Sequence, residues 1–486
     1  MGLIFIKQNL TLLTDFYELT MMQGYFKNQS ANKTAVFDVY YRKNPFGNGY
    51  VVVAGLEQVI DYVLNIKFSK EDIDFLRDNF DFEDEFLEYL SSFKFTGDIY
   101  ALKEGTVAFP NEPLLTVKAP IIQAQFLESA ILNIINHQTL IATKAARIKQ
   151  VTGDDGISEF GLRRAQGPDA AIFGTRASII GGFDSTSNVL AAKKFNIPAS
   201  GTHSHSWIMS FESEYKAFYE YARCFKNNII LLLDTYDVLK SGLPNAIRVF
   251  KNLIAENEKP KKFGVRIDSG DFAYLTKKIR EELDRENLYE AQIIVSNDLD
   301  ENLILYLKNQ GAKINAWGIG TKLITGDGNP SLGGVYKMVA MENKTGKLKP
   351  KIKISENPEK ISTPGFKQIF RIYNKASGKI KMDLLALHDE NFLGSENICV
   401  VNENISWRKI NLDFKNYFVK PMLEKIIENG KRVSEIFSVC DIKKYCNEQK
   451  ETLWEEYKRI INPEVMFVCL SEKLFDLKQE LLNKSY

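Results

Sequence analysis

Residues Ser200–Trp207 read SGTHSHSW and hold two of the four histidines in a chain of 486 residues. An H-x-H pair supports three kinds of chemistry: two metal ligands, one imidazole doing nucleophilic or acid–base work, or two rings packed for structure. The flanking Gly-Thr turn and Ser206 describe a polar strand end, where one ring nitrogen can be used to orient the other. GVRIDSGD (264–271) sets Arg266 and Asp268 two apart on one side of a strand. Arginine grips phosphate bidentately, and an aspartate at a strand end can hold ribose hydroxyls or a metal-bound pyrophosphate. The bland alternative is a structural salt bridge capping a helix that begins near Asp271.

Two further stretches have the same double reading. In AWGIGTKLITGDG (316–328), Gly318, Gly320 and Thr321 can offer backbone N–H groups and a hydroxyl to a phosphate, or can form a plain tight turn. In SEFGLRRAQGPDAA (158–171), Phe160 can stack on a flat ring and Arg163 can bind a carboxylate; alone, they would be a core phenylalanine and a surface arginine. TDFYELTM (14–21) reads by itself as an ordinary helix start, with Thr14 as N-cap and Tyr17 in the first turn. No G-x-x-x-x-G-K-[ST] loop occurs, so any use of ATP takes another form.

The elements that must position these residues follow from periodicity. The N-terminal part mixes strands at Thr34–Tyr41 and Tyr50–Val53, a helix carrying Leu56, Val59, Ile60, Val63 and Leu64, and a small β-rich unit at Asp98–Ala119. Ala124–Lys149 is a run of helix formers. Seven β-prone stretches then end in polar clusters, each followed by a helical pattern: at Phe160–Arg164, Gly182–Thr186, Ser200–His203, Leu233–Asp237, Arg266–Asp271, Ser296–Asp298 and Gly318–Thr321. Repeated βα units imply a parallel sheet with outer helices, and seven of them favour a distorted TIM-like α/β barrel with its chemistry at the C-terminal strand ends. The expected division is a mixed α/β domain over 1–135, the barrel over 136–335, and a C-terminal segment over 336–486. That last segment holds a lysine-rich solvated loop or edge strand (KLKPKIKISENPEK), strands at Gln368–Tyr373 and Ile380–Leu387, then helical material. Its strands are expected to complete the N-terminal domain.

Composition narrows the class. With 44% hydrophobic and 26% charged residues the chain is ordinary globular protein, and 63 lysines plus arginines against 62 acids exclude a general nucleic-acid or anionic-membrane binder. Five cysteines without C-x-x-C spacing argue against a disulfide framework or zinc knuckle and fit a reducing cytoplasm. Leu3–Ile6 is too short for a signal-peptide core, Ile6 breaks the Met-Gly myristoylation pattern, and no apolar run approaches a membrane span. A metal pair at His203 and His205 would need further histidines, but His137 and His388 lie outside the barrel series.

Taken together, LLTDFYELTMMQGYF, NIINHQTLIATKAARI, SEFGLRRAQGPDAA, GGFDSTSNVLA, GTHSHSW, LLLDTYD, VRIDSGD, SNDLDE and WGIGTKL, in order over residues 12 to 340, resemble the nicotinate phosphoribosyltransferase family. The resemblance implies a type II phosphoribosyltransferase barrel. It also implies a reaction of nicotinate with phosphoribosyl pyrophosphate, with Mg²⁺ and coupled ATP hydrolysis, giving nicotinate mononucleotide and pyrophosphate for NAD synthesis. Under it His205 is the histidine that ATP phosphorylates, and His203 is a supporting neighbour. Phe160 and Tyr17 sandwich the pyridine ring, with Tyr17 supplied across a homodimer interface. Arg163 meets the nicotinate carboxylate, and Asp184 occupies a position that faces an amide in the nicotinamide enzyme. Arg266 and Asp268 contact the phosphoribosyl pyrophosphate and Asp234 the ribose, with Asp234 and Asp268 catalytic alongside His205; Thr202, Ser269 and Gly270 bind substrate, and Ser296, Asn297, Gly318, Gly320 and Thr321 form the 5′-phosphate pocket. Rival readings are the nicotinamide-specific enzyme, a metal-dependent barrel hydrolase and a catalytically silent paralogue.

Overall fold

A computed structural model describes residues 9–403 and 409–484, so the Leu3–Ile6 run lies outside the described residues. The chain forms two compact units: Met1–Thr143 with Ser331–Tyr486, and Lys144–Pro330.

In the first unit, a seven-stranded antiparallel sheet runs in the order Leu348–Pro350, Val335–Glu342, Thr34–Tyr40, Leu115–Pro120, Asp98–Leu102, Leu423–Glu428 and Lys431–Arg432. N-terminal and C-terminal strands are thus interleaved: Val39 pairs with Tyr336, and Tyr100 with Lys425. One face of this sheet and the helices Leu56–Asn65, Lys70–Asn79, Asp84–Ser91 and Glu128–Thr152 contribute to a large apolar core that includes Phe37, Val59, Leu76, Phe86 and Ile131. The lysine-rich run supplies the edge strand Leu348–Pro350 and then irregular chain. Lysines discourage further pairing at such an edge.

A second, six-stranded sheet corrects the expectation of helical material after residue 387. Lys367–Asn374 and Ile380–Leu387 are strands as expected, but Asn397–Val401, Lys409–Asp413, Tyr417–Pro421 and Val468–Ser471 are strands too. Their buried residues alternate weakly, as in Asn397–Val401, and the charged residues between them hide the period-2 pattern. Arg371, wholly buried on this sheet, donates to both carboxylate oxygens of Asp383, to Gln449 Oε1 at 3.1 Å and to the Val107 carbonyl at 2.8 Å. Beside it, burial and the Asp383 charge hold the Glu112 carboxyl well above the usual range.

The second unit is the one that positions the candidate site. Its six strands, all parallel, lie in the order Ser185–Thr186, Gly156–Glu159, Ala316–Ile319, Gln292–Asn297, Lys262–Ile267 and Asn228–Leu232. Helices follow them at Val189–Phe195, Pro168–Gly181, Thr321–Ile324, Glu301–Asn309, Phe272–Arg285 and Leu243–Ala255. Ile229–Leu232 are buried without alternation, as a parallel strand covered on both faces requires. Six strands stand where seven were expected: Ser200–His203 is irregular, reduced to a single bridge between Thr186 and Ala199. Among the described residues no ladder joins the two outer strands, so the sheet is open in its hydrogen bonding. Gly201 and the polar Ser200, Thr202 and Ser204 give that stretch little to bury, which explains the lost strand.

Truncating Asp383 to alanine leaves the Arg371 guanidinium buried without its carboxylate. Chemical denaturation of Asp383→Ala is expected to show a loss of about 3–5 kcal/mol of stability.

Candidate functional site

All six strands point their C-terminal ends the same way, and the chemistry-bearing clusters follow those ends. With neighbouring strands about 4.8 Å apart, the row of ends spans roughly 24 Å along the sheet.

The last strand in the row, Asn228–Leu232, runs into Leu233 and Asp234. Asp234 Oδ2 accepts from the Asp268 amide at 3.0 Å and from Ser269 Oγ at 2.6 Å, while its Oδ1 is buried without a partner. Asp268, just past the next strand, accepts from Ser296 Oγ at 2.6 Å, and its carbonyl accepts from Asn297 Nδ2 at 2.7 Å. A lateral chain of hydrogen bonds thus joins three strand ends. Asn297 sits at φ 125°, a conformation that a non-glycine residue rarely adopts. The turn between Ser269 and Asp271 likewise needs Gly270, at φ 89°.

Each of these turns also contains a helix cap. Asp237, Asp271 and Asp300 accept from the amides of Lys240, Tyr274 and Leu303 respectively, at 2.8–3.0 Å. The acidic clusters therefore divide: Asp234 and Asp268 hold the strand ends together, and the residue three positions later caps the helix.

The salt-bridge reading of Arg266 is not met. Arg266 makes no salt bridge with Asp268; Nη1 donates to Thr202 Oγ1 at 2.7 Å and Nη2 to the His203 carbonyl at 3.4 Å. Burial pulls its guanidinium below the usual value against the pull of Asp268 and Asp234, and its Nε has no partner. Arg266 thus holds the SGTHSH turn from below.

The two histidines separate cleanly. His203 is buried, packs its ring 4.6 Å from that of Tyr221, and accepts at Nε2 from the Leu232 amide at 3.3 Å. Burial lowers its pKa to about 4. His205 opens the short helix His205–Met209 and lies half-buried, with Nδ1 3.0 Å from Thr235 Oγ1. Thr235 escaped notice in the sequence because nothing distinguishes it from the rest of LLLDTYD. Its signal is only that it follows Asp234 at a strand end. His137 and His388 belong to the first unit, where His388 stacks on Phe366. Among the described residues, no three His, Cys, Asp or Glu side chains converge as a metal cluster.

After Gly156–Glu159, the strand next to the other edge, stands Phe160, whose amide donates to the Ile319 carbonyl at 2.7 Å. Its ring closes on Gly318, where a Cβ would come within 2.6 Å of ring atoms Cδ2 and Cε2 and 3.1 Å of Ser296 Cβ. Gly318 is therefore a close-approach glycine. Gly320 and Thr321 start the short helix Thr321–Ile324. Arg163 is exposed on the 3₁₀ turn Leu162–Arg164.

Asp184 does not reach this row. It precedes the strand Ser185–Thr186 and accepts from the Ile157 amide at 3.1 Å, near the start of the neighbouring strand. The residue at that strand's C-terminal end is Ser187, whose amide donates to the Glu159 carbonyl at 2.9 Å. The strand end expected at Gly182–Thr186 stops one residue short of Ser187. Glu159 itself, wholly buried one position before Phe160, was also overlooked.

Tyr17 is in the first unit, on the helix Phe16–Lys27, and is 46% exposed. The N-cap there is Asp15 rather than Thr14, and its carboxylate accepts from Ser129 Oγ at 2.6 Å. Burial, then the charges of Glu128 and Glu18, raise the Tyr17 phenol.

An aromatic ring, a glycine-rich turn and carboxylate turns thus lie along one row of parallel strand ends, the place where α/β sheets commonly hold phosphorylated ligands. The comparisons agree. Models of the nicotinate phosphoribosyltransferase N-terminal domain, the nicotinate phosphoribosyltransferase family and its C-terminal domain match residues 12–136, 156–371 and 366–478 in turn. The chain is 45% identical over 480 residues to the nicotinate phosphoribosyltransferase of Bacillus subtilis (strain 168), covering 99% of this chain and 96% of that one. It is 36% identical to the one from Caenorhabditis elegans, covering 97% and 93%. The crystal structure of the human nicotinic acid phosphoribosyltransferase matches with a TM-score of 0.84 at 29% identity, covering 97% of this chain and 100% of that one. The chain belongs to the nicotinate phosphoribosyltransferase family.

His203 gives a pH test. Its folded pKa lies below the ordinary 6.5, so between pH 6.5 and 4 the unfolded chain binds the proton and the folded one does not. Stability is full above pH 6.5 and falls with pH through this window by about 3 kcal/mol. Denaturation curves of His203→Asn are expected to lose most of that slope.

Proposed function

We propose that the protein is a nicotinate phosphoribosyltransferase that joins nicotinate to phosphoribosyl pyrophosphate, releases pyrophosphate, and couples the step to ATP hydrolysis through phosphorylation of His205. The observation that carries the reading is 45% identity over 99% of the chain to an enzyme of that name. The order of strand ends supports it. Phe160 and Arg163 take the acceptor, the flat face of the ring against the pyridine and the guanidinium on the carboxylate. Gly318, Gly320, Thr321, Ser296 and Asn297 take the 5′-phosphate. Asp234, Asp268, Ser269 and Gly270 take the ribose and pyrophosphate beside His205, with Arg266 and Thr202 beneath. The unit is then a distorted, incompletely closed barrel of the type II phosphoribosyltransferases.

As pyrophosphate leaves C1, positive charge builds on the sugar; the residues' task is to orient the ring nitrogen behind C1 and exclude water. Asp234 lies where its buried, unpartnered Oδ1 can face that charge. The same oxygen fits Mg²⁺, an ion that takes one or two carboxylates plus substrate phosphates rather than an all-protein cage. When bound, it would neutralise the leaving group. With Nδ1 of His205 beside Thr235, Nε2 is the nitrogen left to meet a phosphoryl group. Tyr17 completes the acceptor pocket from the second subunit of a homodimer. The five free thiols fit a cytoplasmic setting.

Incubation with γ-labelled ATP is expected to label the parent and His203→Ala but not His205→Ala; label in His205→Ala refutes the assignment. At equal concentrations, nicotinate is expected to be consumed in preference to nicotinamide. The reverse preference would identify the nicotinamide enzyme.

A further inference from the structure

The carboxyl group of Glu159 is wholly buried in the second unit, beneath the turn and strand end that it bonds. Oε1 accepts from the Gly161 amide; Oε2 accepts from Thr186 Oγ1 at 2.5 Å and lies 2.9 Å from Thr175 Oγ1. Three separate pieces of chain are thereby tied to one side chain: the turn carrying Phe160 and Arg163, the end of the strand Ser185–Thr186 just before Ser187, and the helix Pro168–Gly181.

The bonds around it are directional. Thr186 Oγ1 already accepts from the Asn188 amide at 2.9 Å, so its hydrogen points to the carboxylate. Thr175 Oγ1 lies 2.8 Å from the Ala171 carbonyl, so its single hydrogen has two acceptors to choose between. A buried group that accepts at both ends is met by a carboxylate and by no neutral side chain of the same shape. Glutamine would set an N–H group against either the Gly161 amide or the Thr186 hydroxyl, whose hydrogen is already directed at that oxygen. The Gly161 turn is also pinned from the other side, because a Cβ there would lie 2.6 Å from Ile324 Cβ and 2.9 Å from Glu159 Oε1.

We infer that Glu159 is a positioning residue for the acceptor: its carboxylate fixes the Phe160–Arg163 turn and the Ser187 strand end relative to each other, and so sets the geometry in which nicotinate is held. This rests on the proposed reaction. The donor-side residues Asp234, Asp268 and Ser296 are tied by their own lateral bonds and do not touch Glu159. Loss of the tie should therefore reach the acceptor first.

The test is steady-state kinetics on the full chain, varying each substrate against saturation of the other. Turnover of nicotinate by the parent checks the reaction itself, independently of Glu159. Glu159→Gln is expected to raise KM for nicotinate about tenfold while KM for phosphoribosyl pyrophosphate stays within about twofold. Thr175→Val, which keeps the carboxylate and the side-chain shape, is expected to raise KM for nicotinate about threefold, and Thr175→Ser to restore it. Equal changes in both KM values, or an unchanged KM for nicotinate in folded Glu159→Gln, would overturn the inference. So would a Thr175→Ser variant that behaves like Thr175→Val.

Discussion

The carboxylate of Asp234 is the point on which the geometry of the second unit turns. One of its oxygens collects the Asp268 amide and the Ser269 hydroxyl, and Asp268 passes the tie on to Ser296 and Asn297. Parallel strands are joined along their length by their ladders, but their ends carry unpaired backbone groups and would splay where the loops depart. A carboxylate with two acceptor oxygens can bridge such ends, and a hydroxyl or amide side chain can extend the bridge. The strain at Asn297 is held in place by the same bonds. Rigid strand ends are what a row of substrate contacts requires, since catalysis by orientation tolerates little misplacement.

Much of this was legible in the sequence because the strand-to-helix turns repeat one device. Leu-Asp234-Thr-Tyr-Asp237, Ile-Asp268-Ser-Gly-Asp271 and Asn297-Asp-Leu-Asp300 each place a side chain that ties the strand ends and, three residues on, a helix cap. Composition alone shows two polar residues per turn; only the fold says which one does which. The short strand Ser185–Thr186 failed for the converse reason. Two residues give no period to read, and a strand end set at Gly182–Thr186 includes Asp184, which precedes the strand, while it stops short of Ser187, which follows it. Glu159 was passed over because a buried acid looks like any other acid until its three partners, drawn from positions up to 27 residues away, come together.

The histidine pair shows how sharply neighbours can differ. Adjacent in spacing, His203 and His205 are identical in every intrinsic property, yet one is packed beside Tyr221 and receives a backbone amide while the other faces a hydroxyl at the surface of the turn. Arg266 holds Thr202 and the His203 carbonyl on the side where the His203 ring is buried. A residue read as a phosphate ligand is thus also a structural support for the turn that carries the other candidate chemistry.

The interleaved sheet of the first unit has a consequence for how the chain acquires its shape. Thr34–Tyr40 is paired on one side by Leu115–Pro120 and on the other by Val335–Glu342, some three hundred residues later. During synthesis from the N-terminus, that flank of the strand is left without its partner while the whole second unit is made. Pairings this distant in sequence close slowly, and an unpaired strand is a template for the wrong neighbour. The second unit is one continuous stretch, Lys144 to Pro330, so its sheet needs no partner from the last part of the chain as it emerges. Vectorial folding would then run from the middle outward, with the candidate site in place before the first and last segments of the chain have met.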